Sequence, residues 1–282
     1  MNYKIISDSS SDVFELENVN YTTVPLKIST DERQFVDDKS LDTAEMLDHL
    51  YSFGGKSGSA CPGVGEWLDA CEETENVFCI TITSNLSGSF NSACAAAKEY
   101  QQQHPKNRAC VIDSLSTGPE TALIIEKLAE LVNSGMSFNE IKKEIKHYKE
   151  STHLIFCLRS LKNLANNGRV SHLSAKVAGI FGIRIVGKAS NEGTLELTDK
   201  SRGDKKALAD IMSNMLASGF EGGKVRIHHC ENEESAEALK TMILESFPET
   251  SVVIGKTGGL CSFYAERGGL LVGFEGASKY HA

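Results

Sequence analysis

No C-x-x-C pair occurs in this sequence, although eight cysteines do, at positions 61, 71, 79, 94, 110, 157, 230 and 261. Most sit in apolar runs such as "NVFCITI", "RACVID" and "HLIFCLRS". That setting suits buried thiols acting as small hydrophobes better than a disulfide framework or a zinc site. No apolar run approaches the roughly 20 residues that cross a bilayer. The start, "MNYKIISDSSSDV", has no basic n-region, apolar h-region or cleavage site, so no secretory signal is expected and the expected compartment is the cytoplasm. An excess of basic residues is missing too: 29 Lys and Arg stand against 38 Asp and Glu, a net charge of -9. Nucleic-acid binders and proteins anchored on anionic membranes need a dominant basic surface, and this balance argues against both. Neither a Walker A loop, an H-E-x-x-H pair nor a G-x-S-x-G elbow is found, and no internal repeat or low-complexity tract is evident.

What is there is a chain of 282 residues, long enough for two domains with sizeable cores. In the first half short apolar runs alternate with helical patterns. "YKIISD", "VNYTTVPLKIS", "VFCITIT" and "ACVIDS" read as strands; "SLDTAEMLDHLYSF", "GVGEWLDACEE", "SGSFNSACAAAKEYQQQ" and "GPETALIIEKLAELVNSG" read as helices. Ser40 or Asp42 is placed to cap the first of these helices. Such alternation predicts βαβ units and a mostly parallel, Rossmann-like sheet with helices on both faces. The second half mixes helices with hairpins. "HLIFCL" is a strand, "SLKNLANNGRVSHLSAKVAGIFG" a helical stretch, and "IRIVGKASNEGTLELTDKSRG" two strands around a Gly-containing turn. "KKALADIMSNMLAS" and "ESAEALKTMILESF" are helices, and "KVRIHHC" and "SVVIGKTGG" are strands. The expected architecture is therefore α/β with two domains, residues 1–150 as an N-terminal α/β domain and 151–282 as an α+β domain.

Ligands of open α/β sheets bind beyond the carboxyl ends of the strands. Four serine-rich loops fall at or beside such ends: "SDSSSD", "GSACPG", "SNLSGS" and "DSLSTGPE". In "SNLSGS" the free N–H groups of a helix start carry partial positive charge, Ser87 and Ser89 add hydroxyls, and Gly88 lets a ligand approach the backbone. The same serines could instead cap their own helix. Ser59 in "GSACPG" could donate into a cleft while Pro62 starts a helix. Asp8 could orient nearby hydroxyls, hold a metal or cap a helix, and capping is the commonest of the three roles. His228 and His229 end a strand; one of them could face a cleft between the domains, and neither has a nucleophile beside it in sequence.

"IISDSSSDV", "VPLKI", "SACPGVGEW", "ITSNLSGSFNSA", "VIDSLSTGPE", "LRSLKNLANNGRVS" and "KSRGDKKAL" occur here in one order and spacing. In that collinearity the chain resembles the DegV family of bacterial fatty-acid-binding proteins, some of which are lipid-presenting subunits of fatty acid kinase. The resemblance spans nearly the whole sequence. It implies a long-chain fatty acid in an apolar tunnel between two domains, no cofactor and no metal, and a carboxylate held by hydroxyls and backbone amides. Ser59 matches the hydroxyl residue before the family's proline-containing loop, Ser87 matches the serine of its "LSG" loop, and Gly88 and Ser89 would add backbone donors. Arg169 and Arg202 match family arginines and, with Lys205 and Lys206 beside Arg202, would form a docking patch for a kinase catalytic subunit. The family's third carboxylate contact is a histidine in an "H-x-G-P-G" loop. Here the tail "IGKTGGLCSFYAERGGLLVGFEG" has no histidine, and counting back from "GGLLVGF" puts Tyr264 near that place with Arg267 close by.

The expected function is thus a non-catalytic carrier that presents a fatty acid to a kinase. Two other readings start from the same loops. One is a serine-dependent acyl or phosphoryl transferase with Ser87 as nucleophile, which would need an activating base that the sequence does not place beside it. The other is a site for a polar anion such as a sugar phosphate, which usually sets Lys or Arg next to the loop.

Overall fold

The computed structural model describes residues 2–72, 74–170 and 182–280. The first half runs β1 (Tyr3–Asp8), β2 (Tyr21–Val24), β3 (Lys27–Thr30), β4 (Gln34–Val36), α1 (Thr43–Ser52), β5 (Ser57–Ala60), α2 (Val64–Cys71), β6 (Asn76–Thr81), α3 (Ser89–Gln103), β7 (Arg108–Asp113), α4 (Gly118–Asn133) and α5 (Phe138–Lys149). Four strands form an all-parallel sheet in the order β2-β1-β6-β7. Its central strands β1 and β6 are buried almost throughout, because each face is covered. Ile6, Val77 and Cys79 pack under Trp67, Ala93, Ala96 and Tyr100 of α2 and α3. Ile5, Phe78 and Ile80 pack under Ile124, Leu128, Phe138 and Ile141 of α4 and α5. Asp42 caps α1, accepting from the N–H groups of Ala44 and Glu45 at 3.0 Å.

A small antiparallel sheet, β4-β3-β5, branches off this layer. Sequence patterning missed both β4 and β5. "SGSA" of β5 has no strand propensity of its own, and it is held extended by pairing with β3, Ser59 opposite Ile28.

The second half runs β8 (Thr152–Leu158), α6 (Lys162–Asn166), β9 (Ile183–Ala189), β10 (Leu195–Arg202), α7 (Asp204–Ala217), β11 (Lys224–His229), α8 (Glu233–Ser246), β12 (Ser251–Lys256), α9 (Gly259–Ala265) and β13 (Leu270–Glu275). Six strands make a mixed sheet in the order β10-β9-β8-β13-β11-β12, parallel only between β11 and β12. The helical stretch expected over 160–182 begins with α6; its continuation through 171–181 lies outside the described residues. Two elements escaped the sequence reading altogether, the helix α9 and the strand β13, which is central in its sheet.

Alternation divides this sheet cleanly. Ile155, Cys157, Val186, Ile227 and Val272 face α7 and α8. Leu154, Phe156, Leu158, Ile185 and Leu271 face the other way, toward Ile28, Phe35 and Met46 of the first half. The site lies on that second face. The two halves are joined there by a buried hydrogen bond between His228 Nδ1 and Asp12 Oδ2 at 2.8 Å, and by Asp12 Oδ1 accepting from the Gly258 N–H at 2.8 Å. His228 therefore does face the junction between halves, in a structural pairing. A second tie is the buried Lys279–Glu120 pair at 2.8 Å.

Candidate functional site

At the carboxyl end of β1 the chain turns through Ser9–Ser11, and Asp8 caps that turn. The Asp8 carboxylate is fully buried. It accepts from the Ser10 N–H (3.3 Å), the Ser10 hydroxyl (2.5 Å), the Ile82 N–H (3.0 Å) and the Ser89 hydroxyl (2.6 Å). Burial pushes its pKa up, and these donors pull the other way. Asp8 thus does two of the jobs open to it, capping and orienting hydroxyls. Asp113, at the end of β7, fixes the far side of the same loop by accepting from the N–H groups of Ser84 (3.2 Å) and Leu115 (3.0 Å). "SNLSGS" is thereby pinned between two carboxylates, with Ser87 and Gly88 turned to a cavity.

The neighbouring loop closes onto it. A Cβ on Gly88 would lie 3.2 Å from Cys61 Sγ, a tight contact that the thiol would have to ease by a few tenths of an ångström. Two residues before Cys61, Ser59 on β5 places its hydroxyl 2.7 Å from the Tyr264 hydroxyl. Tyr264 rides on α9, a seven-residue helix whose first N–H groups are bound by a carboxylate from far away in sequence. Asp37 accepts from the N–H groups of Gly259 (2.6 Å) and Leu260 (2.9 Å). Burial raises the Asp37 pKa to about 7, against the pull of these bonds. The Arg169 guanidinium carbon sits 5.7 Å from the Tyr264 ring centre, and its Nε donates to the Leu86 carbonyl at 3.1 Å.

These groups border a partly enclosed cavity of about 310 Å³ between the two halves. Leu26 and Ile82 come from the first half, and Leu154, Phe156, Leu158 and Leu271 from the second. The polar groups among its walls are the hydroxyls of Ser59, Ser87, Thr117 and Tyr264, with Arg169. Such a cavity, apolar with a few convergent polar groups, is the usual form of a small-molecule site. Among the described residues no group of three or more His, Cys, Asp or Glu is arranged to hold a metal ion. All eight cysteines are free thiols, six of them buried. No described helix is long and apolar enough to cross a membrane.

Of the residues singled out in the sequence, Ser59, Ser87, Gly88 and Tyr264 line this cavity together. Ser89 does not. Its hydroxyl is spent on Asp8 and its N–H on the Ser87 hydroxyl at 3.3 Å, so neither donor is left for a ligand. Ser87 is accordingly both a helix-start acceptor and a cavity residue. Arg169, expected in the docking patch, is half-buried in the cavity wall next to Tyr264. Arg202 remains exposed at the end of β10, with Lys205 and Lys206 exposed at the start of α7. Arg267 turns away from the cavity, to Asp48 and to Glu231 Oε2 (2.7 Å). Three contributors were not among the expected site residues. Thr117 and Cys61 belong to two of the serine-rich loops, and Asp37 gives no local signal at all.

The chain matches the family model described as "Uncharacterised protein, DegV family" over residues 2–275. It is 44% identical over 279 residues to a DegV domain-containing protein of Streptococcus pneumoniae, covering 98% of this chain and 99% of that protein. Among solved structures it is similar to a DegV family protein of Eubacterium eligens loaded with heptadecanoic acid, with TM-score 0.95, 44% identity and coverage of 98% and 100%. It is likewise similar to the Streptococcus pneumoniae fatty acid kinase (Fak) B3 protein loaded with linoleic acid, with TM-score 0.96, 43% identity and coverage of 98% and 100%. Full-length similarity of this degree places the chain in the DegV family.

Proposed function

We propose that this protein binds one long-chain fatty acid in the cavity between its two halves and carries it without transforming it. The observation that supports this most is the pairing of an apolar slot with a hydroxyl pair, Ser59 and Tyr264, and with Ser87 on an adjoining loop. Charge-assisted hydrogen bonds from such donors suit a carboxylate and require no metal. Burying a tail of roughly sixteen carbons contributes on the order of 10 kcal/mol, at about 0.8 per methylene, before ordering costs. Arg169, beside Tyr264, adds positive potential at the same wall. The relatives loaded with heptadecanoic and linoleic acid support the same ligand class.

A transferase reading has less behind it. A serine nucleophile needs a base in contact, and among the described residues the hydrogen bond made by the Ser87 hydroxyl is the one it accepts from the Ser89 N–H. Ser59, Ser87, Gly88, Tyr264 and Arg169 are the carboxylate-binding set in this proposal. Residues 1–150 and 151–282 are the two domains that close on the ligand, and α5 ends and β8 begins at that division. A fatty acid kinase catalytic subunit is the proposed partner, with exposed Arg202, Lys205 and Lys206 as its docking surface, and the site of action is the cytoplasm.

Titration of delipidated protein with palmitic acid, and with its methyl ester as control, tests the ligand. Saturable one-to-one binding of the acid, with the ester at least about tenfold weaker for want of charged acceptors, is the expected result. Failure of the acid to bind overturns the proposal. In the same preparation Arg202→Glu leaves palmitic acid affinity unchanged while lowering acyl phosphate formation by an added kinase subunit; unchanged formation removes Arg202 from the docking surface.

A further inference from the structure

One row of residues crosses the cavity-facing side of the six-stranded sheet. Register pairs Gly187 of β9 with Phe156 of β8, Phe156 with Leu271 of β13, Leu271 with His228 of β11, and His228 with Gly255 of β12. Residues paired in this way share one face of the sheet. The row therefore reads glycine, ring, leucine, ring, glycine. Both rings lean outward. A Cβ on Gly187 would lie 2.3 Å from Phe156 Cζ, and one on Gly255 would lie 3.3 Å from His228 Cδ2. Each ring occupies the space that its glycine leaves open, and His228 is held there by Asp12. Between them only Leu271 stands on the floor, and both Phe156 and Leu271 belong to the cavity wall.

Had residue 187 carried a side chain, the Phe156 ring could not lie over β9, and the direction left to it would be inward, over Leu271 and into the slot. Phe156 is 2% exposed, so the ring is enclosed as well as seated. No polar group holds it; its position follows from packing alone. It is therefore the wall element whose size translates most directly into room for hydrocarbon.

We propose that Phe156, seated on Gly187, is a specificity-determining residue that limits the length of acyl chain the cavity accepts. This rests on the fatty-acid reading above and deepens it. Trimming the ring lengthens the preferred chain, because each methylene newly sheltered from water is worth about fourfold in affinity.

The test is competition binding of palmitic, arachidic and behenic acids to the delipidated wild type, Phe156→Leu and Phe156→Ala. The readout is the ratio of arachidic to palmitic affinity, which a general loss of stability does not move. The ratio is expected to rise from wild type through Phe156→Leu to Phe156→Ala, by at least about tenfold overall, as two or more methylenes gain shelter. A ratio unchanged within about twofold in both variants, with palmitic acid still bound, overturns the role of Phe156 and leaves the fatty-acid reading standing. If the wild type binds none of the three acids, both fall. Should Phe156→Ala not fold, Phe156→Leu decides alone by the same ratio.

Discussion

Ser59 and Tyr264 each own one hydroxyl hydrogen, and at 2.7 Å one of them is donated to the other. In the proposed binding mode a carboxylate arriving between the two loops would accept from both, exchanging one neutral bond for two charge-assisted ones. Tyr264→Phe keeps the ring, its contact with Phe263 at 4.8 Å and its place beside Arg169, and deletes only the donor. The expected outcome is a loss of roughly 1.5–3 kcal/mol, about tenfold or more in palmitic acid affinity, with the ester control unmoved. Calorimetric titration of both ligands measures it. An equal loss for acid and ester would instead mean that Tyr264 acts through packing.

At the scale of the element, α9 shows what was legible and what was not. The parallel sheet, its covering helices and the serine loops at its strand ends follow from local patterns, because a period of two or 3.6 residues is written in neighbouring positions. The four serine-rich loops were readable for the same reason. Which donors in them remain for a ligand was not: Ser87 and Ser89 look alike in "SNLSGS", and only the arrival of Asp8 from β1 removes Ser89. Neither β5 nor α9 carries its own signal. The first borrows its extension from β3. The second starts at Gly258-Gly259 with no capping side chain nearby, and its first N–H groups are satisfied by Asp37 from 222 residues away. Long-range capping of this kind leaves no mark on a window of sequence.

That cap has a pH signature. The folded pKa of Asp37, about 7, lies above the ordinary value of 3.8. The folded state then holds a proton that the unfolded chain has released between those two values, and stability falls as pH rises from about 4 to 7. Asp8, also raised by burial, adds a slope of the same sign. Asp37→Asn, which cannot titrate, should flatten the fall in Tm across that interval. The contribution removed is on the order of 4 kcal/mol at most. Thermal melts of both proteins at half-unit pH steps measure it. Identical slopes would show that Asp37 does not titrate near neutrality.

For the whole molecule, the cavity is a property of neither half. Its hydroxyls come from Ser59, Ser87 and Thr117 of the first and Tyr264 of the second, and its apolar walls from both. The buried Asp12–His228 and Glu120–Lys279 pairs hold the halves at the spacing that leaves the slot open. Cutting one partner from such a pair strands a buried polar or charged group, so these ties work as clamps more than as sources of net stability. The account predicts that the molecule folds around its cargo and keeps it. Native mass spectrometry of the protein purified from bacteria measures this most directly. One acyl chain of fatty-acid mass on each polypeptide, lost on delipidation and restored by added palmitic acid, is the predicted result. A spectrum showing bare polypeptide before and after incubation with palmitic acid would contradict it.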